Sequence, residues 1–116
     1  MDRARRRELT AEYRRRRPAA GVYAIRCAGS GKALVGSSAD LDSARNRVEF
    51  ARATNTPGAL DGRLRADFER FGGEAFSFEV LDVLDVAPEA TEADLRADLD
   101  ALLLLWREKL DPAGLY

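Results

Sequence analysis

The side chains able to do chemistry in this chain are few in kind. Its 116 residues contain no histidine and a single cysteine, Cys27. The commonest neutral-pH acid/base group and the commonest transition-metal ligand are therefore both missing. A zinc site built from His and Cys is excluded, and metal chemistry would have to rest on oxygen ligands, hence on Mg²⁺ or Mn²⁺. Arginine dominates the cations, with Lys32 and Lys109 the only lysines among 19 basic residues. Alanine is abundant as well, so the excess of arginine by itself says little. Its placement says more. Arg3, Arg5, Arg6, Arg7, Arg14, Arg15, Arg16 and Arg17 stand against Asp2, Glu8 and Glu12, so residues 1–17 carry +5 and the remainder −6. Such an arm can hold DNA or RNA phosphates by counterion release. It can also be a solvated tail, or dock on acidic residues such as Asp82, Asp85, Glu89, Glu92, Asp94, Asp98 and Asp100 of its own or another subunit.

The elements that must position these groups follow from length and periodicity. A chain of this size makes one domain with one core, and 46% hydrophobic with 34% charged residues suits a globular protein. The longest apolar run, Ala101 to Trp106, is too short to span a bilayer. The charged start lacks a signal peptide's apolar stretch, and a lone cysteine fits a reducing compartment, so a cytoplasmic protein with no membrane contact is expected. Residues 1–18 read as an arginine-rich helix or arm, in which Leu9 and Tyr13 share one face, and residues 19–116 as the domain. Val22 to Cys27 and Lys32 to Gly36 form a hairpin through Ala28-Gly29-Ser30-Gly31. Leu41, Ala44, Val48 and Ala51 then make the apolar face of a helix capped by Asp40. A second helix spans Leu60 to Phe71, a third strand runs from Phe76 towards Leu84, and an acidic connection covers Val86 to Ala90. The last helix runs from Thr91, with Asp94 placed for a capping box, to about Leu110, with Leu95, Leu99, Leu102, Leu103, Trp106 and Leu110 as its stripe. The order is ββααβα, an α+β layout.

Gly21-Val22-Tyr23, then Leu34-Val35-Gly36-Ser37-Ser38 and a helix, then Phe76-Ser77-Phe78-Glu79-Val80-Leu81, resemble the GIY-YIG nuclease domain. Asp67, Arg70, Phe71 and Gly72 before the third strand add to the likeness, which covers roughly residues 20–110. The resemblance implies a three-stranded antiparallel sheet flanked by helices, one divalent cation, and cleavage of nucleic-acid phosphodiesters. A tyrosine or a metal-linked water supplies the attack there, and an arginine neutralises developing charge. Tyr23 matches the first motif tyrosine. The second falls at Leu34, the family's arginine at Ala44, its frequent histidine at Val48, and its metal-binding glutamate near Leu103. Four of the five polar positions are thus apolar.

The resemblance therefore implies a scaffold with a decayed catalytic site, kept as a nucleic-acid-binding or assembly module, with no resident cofactor. A working endonuclease using Mg²⁺ or Mn²⁺ is the alternative. It would need Tyr23 as the surviving phenol, Arg47 or Arg45 as the substitute arginine, Arg47 being the nearer by helical angle, and Asp100 or Glu79 as the substitute metal ligand. Ser37 and Ser38 either touch phosphate or terminate a strand and cap a helix. A third reading is a protein-interaction domain, dimerising through a leucine edge of the last helix between Leu102 and Leu105.

Overall fold

The computed structural model describes residues 18–58 and 60–116. The arginine arm, and with it the expected N-terminal helix, lies outside the described residues. Strands β1 (Gly21–Cys27), β2 (Ala33–Ser38) and β3 (Phe76–Val83) form one antiparallel sheet in the order β2-β1-β3. Helix α1 (Leu41–Thr54) follows the hairpin, α2 (Arg65–Phe71) precedes β3, and α3 (Glu92–Lys109) follows it. The α+β order ββααβα is thus the observed one.

Each strand has two apolar faces because each face meets a helix layer. On one side Ile25, Cys27, Leu34 and Phe76 pack with Val48 and Ala51 of α1, and with Leu64 and Phe68 around α2. On the other, Val22, Ala24 and Val35 meet Leu102, Leu103 and Trp106 of α3. Trp106 is also tied to the sheet by a polar link, its Nε1 donating to Asp82 Oδ2 at 3.0 Å. Leu104 and Leu105 remain 59% and 53% exposed, so the last helix does leave a leucine edge outside the core.

The helix ends follow their residues. Asp40 accepts from the Ser43 amide at the start of α1, and Asn55 closes that helix in the left-handed region with φ 52°. Thr91 and Asp94 form the expected capping box on α3. Strand β1 starts at Gly21 rather than Val22 and β2 at Ala33 rather than Lys32, and three further boundaries differ from expectation. Strand β2 continues through Ser37 and Ser38, which pair with Val22 and Gly21. The strand after Phe76 ends at Val83 rather than Leu84. The expected helix from Leu60 is a 3-10 turn, Gly62–Leu64, followed by the short α2, because the Asp61 side chain accepts from the Arg63 amide and holds the chain in a turn.

As an edge strand, β2 has outward carbonyls with no strand to receive them. Tyr116 N donates to Ala33 O at 3.1 Å, and Arg107 Nη2 to Val35 O at 3.3 Å. The C-terminal segment and α3 thus cover this edge, and the second contact carries a cation from the far layer to the middle of β2.

Candidate nucleic-acid interface

An open cleft of about 380 Å³ lies where β1 and β2 meet α1, the 60–63 loop and the end of α3. Gly21-Val22-Tyr23 and Leu34-Val35-Gly36 explain its floor. Tyr23 and Gly36 are cross-strand partners, and the tyrosine ring lies over the glycine so closely that a Cβ at residue 36 would be 2.8 Å from Tyr23 Oη. The ring is held on its other side by stacking on Phe78, with centroids 5.1 Å apart and an interplanar angle of 22°. Its hydroxyl has no hydrogen-bond partner among the described residues, so it is available to a ligand. Gly21 is fixed by a different approach: a Cβ there would lie 2.0 Å from Asp82 O on β3.

Three arginines from separate elements line this cleft: Arg47 from α1, Arg63 from the 3-10 turn and Arg107 from α3. Arg47 and Arg107 have no ion-pair partner among the described residues. Arg63 is held bidentately by Asp61, Nε to Oδ1 at 3.0 Å and Nη2 to Oδ2 at 2.9 Å. Hydrogen bonding to Arg63 brings the Asp61 carboxyl down to about 2. The same contact raises the guanidinium of Arg63, and Tyr23 is near enough to act on it too. The cleft therefore presents the Arg47 and Arg107 guanidiniums without an ion pair among the described residues, Arg47 also acting through its charge on the Asp40 carboxyl, beside a phenol, a chemistry suited to the oxygens of a phosphodiester.

Of the substitutes expected from the sequence, Arg47 is at the cleft. Arg45 instead sits over the Phe78 ring, 5.4 Å from its centroid. Glu79 is paired with Arg26 at 2.6 Å, and Asp100 is exposed on α3 and does not line the cleft. Ser38 is committed to the strand-to-helix link, its Oγ accepting from Asp40 N and donating to Asp40 O. Ser37 lies in the strand and, like Ser38, is not part of the lining. Leu34, Ala44 and Val48 are buried, and Leu103 packs against the core.

A divalent cation has little to hold it here. Among the described residues Asp61 is the only carboxylate lining the cleft, and both its oxygens are bonded to Arg63. Among the described residues no group of three His, Cys, Asp or Glu could bind a metal ion. The residues present do not fit the metal that the resemblance implies.

Arg63, Arg107 and Asp61 are cleft residues that the sequence reading missed. A signal for Arg107 existed, since it lies one helical turn beyond Leu103, the position matched to the family's glutamate, and on the same face. No periodicity could have placed Arg63, which reaches the cleft from the short 3-10 turn Gly62–Leu64.

No family model matches the chain, and no curated protein matches it. Among solved structures it resembles the catalytic domain of the intron endonuclease I-TevI, in a mutant form. The TM-score is 0.60 at 17% identity, covering 84% of this chain and 91% of that one. At that identity the likeness concerns the backbone fold alone. The chain has a GIY-YIG-like fold.

Proposed function

We propose that this protein is a nucleic-acid-binding module on a nuclease-like fold, gripping the phosphodiester backbone in the cleft without cutting it. The observation that carries the reading is that Arg47, Arg63 and Arg107 line one cleft together with Tyr23. Three guanidiniums from three elements suit successive phosphate oxygens, and Tyr23 offers a hydroxyl donor or a ring face. The similar structure is the catalytic domain of an intron endonuclease, which supports nucleic acid as the ligand class.

Cleavage needs more than grip. A nucleophile must be activated, and charge must be met where it develops in the transition state. Leu34, Ala44, Val48 and Leu103 offer none of this, and loss of one such group alone typically costs about 10²–10³ in rate. Arginine binds ground-state phosphate without any of these groups. The arm residues Arg3, Arg5, Arg6, Arg7 and Arg14 to Arg17 would add sequence-independent affinity where nucleic acid is present.

The test uses labelled single-stranded, duplex and branched DNA and RNA, with Mg²⁺ or Mn²⁺, scored for retarded complexes and for products. Complexes without products are the expected result. Metal-dependent cutting that disappears in Tyr23→Phe overturns the reading in favour of an endonuclease with relocated residues.

A further inference from the structure

A second groove lies away from the cleft, at the start of α3. It has a volume of about 560 Å³ and is lined by Ala39, Glu92, Ala93, Leu95, Arg96 and Leu99. Its floor is apolar and its surroundings are acidic. Between residues 85 and 100 the chain carries Asp85, Glu89, Glu92, Asp94, Asp98 and Asp100 against Arg96 alone, a net −5. Asp94 is used in the capping box. The other five carboxylates have no hydrogen bond or ion pair among the described residues.

The start of the described chain is at the edge of this groove. Ala19 O accepts from the Leu41 amide at 2.8 Å, two residues from Ala39, and Ala20 O accepts from the Leu84 amide at 2.8 Å, where the acidic connection begins. Ala19 and Ala20 therefore lie between the groove and the acidic segment, and residues 1–17 precede them in sequence. They carry +5, and after Met1 their only bulky apolar side chains are Leu9 and Tyr13. Tyr13 is five residues before Pro18, a reach of roughly 7 Å as helix and up to roughly 17 Å when extended. No linker is needed for it to reach the groove.

We propose that in the free protein the arginine arm, residues 1–17, docks on this acidic groove of its own chain. Tyr13 and Leu9 meet Leu95 and the alanines, and Arg14 to Arg17 face Glu92, Asp98 and the 85–89 carboxylates. The groove is a binding site for a basic segment with an aromatic anchor, and the arm is its occupant. Because the same arginines can bind phosphate, nucleic acid and the groove compete for them.

The full-length chain with Ala11→Cys carries a nitroxide on the arm, Cys27 being buried and one label per chain being verified by mass. At low salt, paramagnetic broadening is expected at the amides of Ala39, Ala93 and Leu95. It is expected to vanish in 1 M salt, where the Debye length is about 3 Å, and in the exposed pair Glu92→Arg with Asp98→Arg. A mixture of spin-labelled unenriched chain with ¹⁵N chain lacking the label should show no broadening. Broadening no greater at the groove than elsewhere overturns the proposal. Broadening that survives the charge reversal, or that appears in the mixed sample and so reports a second copy, overturns it as well.

Discussion

Replacing Gly36 with alanine tests whether the second motif glycine exists to admit the tyrosine ring. The new Cβ would stand 2.8 Å from Tyr23 Oη and 2.9 Å from its Cζ, well inside ordinary contact. The ring cannot simply swing away, since Phe78 stacks on its other side at 5.1 Å. It must slide, giving up part of that stack, so the substitution belongs with overpacking changes of roughly 1–3 kcal/mol. About 1–2 kcal/mol is expected here, because the obstructed atoms are at the far end of a side chain and not in the backbone. For a domain of about 100 residues that lowers Tm by about 5–10 °C. Denaturant unfolding of wild type, Gly36→Ala, Tyr23→Ala and the double variant gives the coupling directly. The account requires that Gly36→Ala cost about nothing once the ring is gone. An equal cost in both backgrounds would refute it, because the glycine would then serve the backbone and not the tyrosine.

Gly21→Ala should be more damaging, at about 3 kcal/mol or more, since its Cβ meets the Asp82 carbonyl at 2.0 Å and neither strand can yield; equilibrium unfolding should detect it. Trp106→Phe keeps most of the ring but removes its donor to Asp82, and a loss of about 1 kcal/mol is expected by the same measurement. Asp61→Asn frees Arg63, so duplex binding measured by anisotropy should tighten and its salt dependence steepen. The Asp61 carboxyl is lowered from 3.8 to about 2 in the folded chain. Its contribution to stability is thus present above pH 4 and fades as pH falls towards 2, and Asp61→Asn should flatten that part of an acid titration. Hydrogen bonding to Tyr116 likewise lowers the Asp67 carboxyl. Tyr116→Phe should therefore remove stability at neutral pH and have less effect as pH drops below the ordinary carboxylate range, which acid unfolding at several pH values would show.

The fold was legible where a period or a cap recorded it. Leu41, Ala44, Val48 and Ala51 announce α1, and Thr91 with Asp94 announces the start of α3, because burial and capping act on residues a few positions apart. The two-residue extension of β2 was not, since Ser37 and Ser38 suit a cap as well as a strand and pairing with Val22 and Gly21 is a long-range event. The short 3-10 turn before α2 depends on one Asp61 bond that competes with the helix the apolar stripe suggests. The candidate site was half legible. Tyr23, Gly36 and Arg47 come from the motif and its helix, whereas Arg107 and Arg63 arrive from an element on the far layer and from a 3-10 turn. Their convergence is set by packing of α3 on the sheet edge through Val35 O, which no local pattern encodes.

The salt dependence of nucleic-acid affinity tests the phosphate grip most directly. Anisotropy titrations of labelled duplexes of different sequence, from low to moderate salt, would compare wild type with Arg47→Gln, Arg63→Gln and Arg107→Gln. Arg47→Gln and Arg107→Gln should each weaken binding to every sequence alike and lower the slope of log K against log salt by about 0.9, whereas Arg63→Gln, whose charge is already met by Asp61, should lower it less. Slopes and affinities unchanged by all three would contradict the account and place the nucleic acid, if it binds, elsewhere on the protein.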